Sequence, residues 1–141
     1  MNINDDEYEK KKRYLKRYRK NQELISRLND KIRSYDDRLS GLRSPIISDM
    51  PRGSKPIDKA DILSDKLETE ERITRLKAKG SVYRSEILAC IDKLDDVRQA
   101  QVLEMFCIDC MSISDISEEL GYTERWIASI YSEAISAIDI T

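Results

Sequence analysis

No histidine occurs anywhere in this 141-residue chain, which removes the commonest general base and the commonest metal ligand together. Glycine appears 4 times, proline 3 times, and phenylalanine and tryptophan once each, while 37% of the residues are charged. Few helix breakers, few aromatics and many charges disfavour a sheet protein and favour long, solvent-exposed helices. The 3 cysteines are odd in number, which argues against an extracellular disulfide framework. Long apolar runs are missing, so no segment is expected to cross a membrane. The N-terminus passes from acidic to basic without the apolar stretch of a secretory signal, so the expected compartment is the cytoplasm. Also absent are a glycine-rich phosphate loop, a nucleophile elbow and a carboxylate-rich metal motif. The chain does not read as an enzyme, and no catalytic residue, metal or cofactor is expected.

What is present is unevenly charged. The net charge of -2 conceals residues 1–80, with 21 Lys and Arg against 15 Asp and Glu, and residues 81–141, with 4 against 12. The halves carry +6 and -8, so a polyanion is expected to feel the N-terminal half first.

Tyr14, Tyr18, Asn21, Ile25, Leu28, Ile32, Tyr35, Leu39 and Leu42 follow one another at alternating steps of 4 and 3, a heptad seam with one polar member. This predicts a helix from about residue 4 to about residue 41, roughly 55 Å long at the standard rise. All three prolines and Gly53 fall within residues 43–56, which predicts a loop, with Pro56 suited to the first turn of a following helix. A helical period returns from Ile57 to Leu94 through Leu63, Leu67, Ile73, Leu76, Gly80, Tyr83 and Ile87. Gly80 on that apolar face marks a close helix approach, a kink or a break. The two long helices form either a hairpin within the chain or a pairing between copies. Self-association is expected through the seam Ile25–Leu28–Ile32–Tyr35–Leu39.

The C-terminal stretch reads as three short helices. Asp95-Asp96 supplies an N-cap, and Val97, Val102, Leu103, Phe106 and Cys107 form an apolar stripe ending near Asp109. Ser112 with Asp115 is a variant capping box, followed by Ile113, Ile116 and Leu120 as an inward face. Gly121 stops that helix, and Thr123 caps the next, whose inward face is Ile127, Ile130 with Tyr131, Ala134 and Ile138. Two helices crossing at a glycine turn leave the N-terminal half of the second exposed, in the manner of a helix-turn-helix.

The wording is closer than that grammar alone. Arg98-Gln-Ala-Gln-Val-Leu-Glu-Met-Phe, then Ser112-Ile-Ser-Asp-Ile-Ser-Glu-Glu-Leu-Gly-Tyr-Thr-Glu-Arg-Trp-Ile, resembles region 4 of sigma-70-type factors. It is most similar to the late-transcription regulators of Gram-positive phages and prophages, the RinA/ArpU-like group, and the Met50-Pro51-Arg52-Gly53 loop looks like one that recurs there. The resemblance covers about residues 82–138 and implies a regulator that binds promoter-proximal double-stranded DNA, as an activator beside host RNA polymerase. It departs from the pattern in one respect. Glu124, Ala128 and Ser129 stand where basic residues are usual, leaving Arg125 as the one cation of that helix.

The expected architecture is therefore all-α. A long two-helix, coiled-coil-like stalk spans residues 1–80, with its loop at 43–56, and a helix-turn-helix domain spans residues 81–141. Thr123, Glu124, Arg125, Ala128 and Ser129 are the expected groove-facing residues, with Arg125 the candidate for a guanine contact. Arg13, Lys16, Arg17 and Lys20 share a helical face suited to phosphates, or else form a solvated helix start balancing Asp5, Asp6, Glu7 and Glu9. Cys107 and Cys110 form a CxxC that lacks the further ligands of a zinc site and reads as buried packing. Trp126 lies between the inward and outward faces and leans towards a structural role. The competing reading is a coiled-coil adaptor whose acidic domain docks on a basic protein and does not bind DNA.

Overall fold

The breaker-poor composition folds as helix. The computed structural model describes residues 3–43 and 59–140, and no strand occurs among them. The helices are α1 (Ile3–Leu15), α2 (Arg17–Arg43), α3 (Lys59–Asp92), α4 (Val97–Cys107), α5 (Ile113–Leu120) and α6 (Glu124–Ala137). The first long helix of the sequence reading is thus two segments that meet at Lys16. There Lys16 donates to the Lys12 carbonyl at 3.1 Å and Lys20 to the Lys16 carbonyl at 2.9 Å. The proline-bearing segment, with Pro45, Pro51, Gly53 and Pro56, lies outside the described residues, as does Ile57. No described helix is long and apolar enough to cross a membrane.

The chain divides into two packing units. One is Glu23–Ala78, which holds most of α2 and the first half of α3. Ile25, Leu28 and Ile73 are buried together there, with Leu24, Ile32 and Leu76 packed against them. Asp36 meets Lys66 at 2.6 Å. Residues rising along α2 thus meet residues falling along α3, an antiparallel pair within one chain. The seam expected to join copies is consequently covered, since Ile25, Leu28 and Leu39 are all buried.

The apolar stripe of α3 lies elsewhere than its first leucines suggest. Leu63 and Leu67 are 47% and 58% exposed, whereas Ile62 is buried. Stepping back from Ile73 by 4 and 3 leads to Thr69, Lys66 and Ile62, so the heptad persists through two polar positions. Lys66 fills its place by laying its stem along the seam and its ammonium on Asp36. Thr69 returns its hydroxyl to the Asp65 carbonyl at 2.8 Å.

The other unit joins the described residues of Met1–Gln22 to those of Lys79–Thr141. Leu15 of α1 is fully buried in one core with Ile87, Ile91, Val102, Leu103, Ile116, Ile127 and Ile135. The sequence reading kept residues 1–22 with the stalk because the heptad runs through them unbroken. Periodicity shows that a stripe is buried but not which partner buries it.

Gly80 marks a close approach, and α3 continues through it without a break. Its Cα faces Asn21, the polar member of the seam, which is itself buried, and a Cβ built on Gly80 would collide with the Asn21 side-chain amide. Alanine at a helix interior normally gains about 1 kcal/mol over glycine. Here overpacking of about 1–3 kcal/mol opposes that gain. Gly80→Ala is therefore expected to lower stability in the wild-type background and to raise it in an Asn21→Ala background. Urea denaturation of the four variants reads this change of sign.

Candidate nucleic-acid interface

The local sequence around α5 and α6 dictates how both helices begin and where the first one stops. Asp96 caps α4, its Oδ1 accepting from the Arg98 and Gln99 amides at 2.9 and 3.3 Å. After α4 the chain turns through Cys110, which adopts φ 58°, and the Met111 amide returns to the Met105 carbonyl at 3.0 Å. Ser112 caps α5 by accepting from the Asp115 amide at 3.1 Å. Gly121 ends α5 at φ 75° and ψ 24°, a conformation open to glycine without a Cβ penalty. The amides of Gly121 and Tyr122 both return to the Ser117 carbonyl, at 2.9 and 3.2 Å, and the Ser117 hydroxyl donates to the Tyr122 carbonyl. Thr123 opens α6, its Oγ1 accepting from the Trp126 amide at 3.1 Å. Gly121, Tyr122 and Thr123 are thus the whole connection between two capped helices.

The rear of α6 is apolar and covered. Ile127, Ile130, Tyr131, Ala134 and Ile135 are buried, as is Ile138 just past its end. Phe106 of α4 packs against Tyr131 in a tilted pair, with ring centroids 4.8 Å apart and planes at 59°. α1 lies against the C-terminal half of α6, where the Tyr8 hydroxyl reaches the Ser132 hydroxyl at 3.4 Å and Lys11 Nζ donates to the Ser136 carbonyl at 3.1 Å. That ammonium sits where the negative end of the helix favours a cation. The N-terminal half stays open, and Thr123, Glu124, Arg125, Ala128 and Ser129 are all exposed along it. Arg125 is the single cation of this surface, next to Glu124, while α5 presents Asp115, Glu118 and Glu119 nearby in sequence.

Of the expected phosphate face on α1 and α2, the structure leaves two members exposed, Arg13 and Lys20. Arg17 is committed inward. Its guanidinium lies 3.8 Å from the Tyr14 ring centroid and 4.5 Å from that of Tyr83, and it pairs with Glu86 at 2.7 Å. Its Nε also donates to the Tyr14 carbonyl at 2.9 Å. Lys16 is half-buried with Nζ 6.0 Å from the Phe106 ring centroid. Burial first, then repulsion from Lys12, Lys20 and Arg19, lowers its pKa. The four cations follow helical spacing, but two of them turn into the unit that α1 helps to build.

A residue outside every expected set holds the module together. Arg19 Nη1 donates to the carbonyls of Phe106 and Met111, each at 2.9 Å, and its guanidinium lies 4.2 Å from the Phe106 ring centroid. It therefore ties α2 to both ends of the α4–α5 turn. In sequence its spacing sets it off the face shared by Arg13, Lys16, Arg17 and Lys20, but nothing there points to the carbonyls it meets.

Three further side chains depart from or refine the sequence reading. Val97, assigned to the apolar stripe of α4, is 79% exposed because it stands at the first helical position, before the stripe reaches the core. Trp126 is 46% exposed, and Tyr122 in the turn is 40% exposed. Cys107 is fully buried and its thiol is pushed up to about 12 by burial, which makes it packing. Among the described residues no group of three or more Cys, Asp or Glu is placed to hold a metal ion.

A family described as "Protein of unknown function (DUF1492)" matches residues 41–139, which include α4, α5 and α6. A curated relative, the putative autolysin regulatory protein ArpU of Enterococcus hirae, is 33% identical over 99 residues, or 69% of this chain. The match covers 64% of that relative, so the chain spans less than two thirds of its length. No solved structure matches the chain.

Proposed function

This chain belongs to the DUF1492 family, and we propose that it is a sequence-specific, DNA-binding transcription regulator of phage or prophage origin, an activator working in the cytoplasm beside RNA polymerase. The observation that carries this reading is the division of α6 into a buried rear and an open N-terminal half bearing Thr123, Glu124, Arg125, Ala128 and Ser129. A helix anchored by Ile127 and Ile130 and uncovered at its start has the form that enters a major groove. Arg125 would take guanine O6 and N7 through its guanidinium fork. The amides that follow the Thr123 cap would meet a backbone phosphate at the positive helix end. The regulatory name of the ArpU relative supports the class, and the resemblance to sigma region 4 supports the polymerase as a second partner.

A second reading has its own observation. Tyr122 and Trp126 stand exposed around the turn, in a stretch of sequence that also exposes Asp115, Glu118, Glu119 and Glu124. Exposed aromatics in an acidic stretch suit a basic protein surface better than a phosphate backbone. Selection of bound duplexes from a random library by the full chain, at roughly physiological salt, separates the two. The DNA reading expects one enriched motif. Recovery of unenriched sequence, in the presence and absence of RNA polymerase, contradicts it and favours the adaptor.

A further inference from the structure

The unit formed by Glu23–Ala78 contains a cationic cleft that the reading of α6 does not use. Leu24, Arg27, Leu28, Lys31 and Arg72 line a cavity of about 310 Å³ between α2 and α3. The lining holds three cations and no carboxylate. Lys31 and Arg72 also line a neighbouring cavity of about 230 Å³, together with Tyr35, Asp65, Glu68, Thr69 and Arg75. Asp65 and Glu68 thus share that second lining with Lys31 and Arg72, while the first lining holds cations alone. Among the described residues, no carboxylate is recorded in an ion pair with Arg27, Lys31 or Arg72.

Arg27 and Lys31 are like charges one turn apart, a spacing that destabilises a helix, and Arg72 adds a third positive charge from the facing helix. Elsewhere in the same unit the chain neutralises its cations, setting Lys66 on Asp36 and Arg33 on Asp30. All three side chains are exposed, so their attraction for an anion adds up over the group and weakens as salt rises. A guanidinium fork matches two phosphate oxygens, and an ammonium adds a point charge beside it.

We propose that Arg27, Lys31 and Arg72 form a phosphate-binding cleft, whose occupant is a backbone phosphate of nucleic acid. The choice of occupant rests on the DNA-binding reading, while the chemistry of the cleft does not. The cleft supplies the sequence-independent grip that a C-terminal region of charge -8 lacks. It takes the place of the face at Arg13, Lys16, Arg17 and Lys20, half of which turns inward.

The test uses the full chain with Lys31→Gln and Arg72→Gln combined, and Arg38→Gln as a charge change outside the cleft. Melting is followed with and without sodium pyrophosphate, and affinity for random duplex DNA is followed against salt. The double variant is expected to melt close to wild type without ligand, because both side chains are exposed, and to lose most of the pyrophosphate-induced rise. Its salt slope on random duplex should fall by about 0.9 for each phosphate contact removed. Arg38→Gln should leave the pyrophosphate effect unchanged. Loss of that effect with unaltered DNA affinity supports the cleft and assigns it to a free phosphate compound. Loss of DNA affinity alone marks a diffuse charge effect and overturns a discrete cleft, as does wild-type behaviour in both assays. Arg125→Ala should alter neither readout, so a failure of the α6 reading stays distinguishable from a failure of this one.

Discussion

Replacing Ile127 by alanine should lower the stability of the chain by about 2–5 kcal/mol, while Ile127→Val should cost about 0.5–1.5 kcal/mol. Ile127 is fully buried beneath the open half of α6, in one core with Ile116 of α5 and Leu103 of α4. Truncation removes apolar surface from that core and leaves a cavity that the short α5–α6 connection can collapse only by moving α6. Native domains stand only about 5–15 kcal/mol above unfolding, so the loss is a large share of the total. Equilibrium urea unfolding measures it directly. A loss below about 0.5 kcal/mol for Ile127→Ala would mean that α6 is not anchored through this residue.

Arg19→Ala should be nearly as severe, at about 2–4 kcal/mol, since hydrogen bonds to charged groups contribute roughly 1.5–3 kcal/mol each and are not fully additive. The substitution strands the Phe106 and Met111 carbonyls and removes the cation from the Phe106 ring. Arg19→Lys should recover little. An ammonium on a flexible stem cannot lie flat on the ring while donating from one nitrogen to two carbonyls in the same geometry. Thermal unfolding of the two variants checks this. A lysine variant that melts with wild type would show that charge alone, rather than the fork and the stack, holds the α4–α5 turn.

How much of this was readable in advance depends on whether a feature is local. The caps at Asp96, Ser112 and Thr123 and the stop at Gly121 are written within four residues of where they act, and the sequence reading placed each of them. The rear of α6 was also legible, because Ile127, Ile130 and Ala134 sit at helical spacing behind a Thr cap. Non-local choices were not. Leu63 and Leu67 look like a stripe, but the partner helix selects the neighbouring row, where Lys66 and Thr69 stand. Spacing sets Arg19 off the face of Lys16 and Arg17, but which of these bases turns inward, and onto what, depends on the positions of Tyr83, Glu86 and Phe106. Gly80 left three possibilities open until Asn21 was found opposite it.

On the proposed reading, α6 recognises DNA through its open half. The most direct measurement is the affinity of wild type and Arg125→Ala for a selected duplex and for an unrelated one, across a salt titration. The DNA reading predicts that Arg125→Ala weakens the selected site by about 1–3 kcal/mol, with unrelated DNA and the salt slope almost unchanged. Arg125 is exposed, so the loss should come without a loss of stability. Equal affinity of wild type and Arg125→Ala for the selected site would contradict the account and leave the aromatic, acidic surface around Tyr122 and Trp126 as the better guide to what this chain binds.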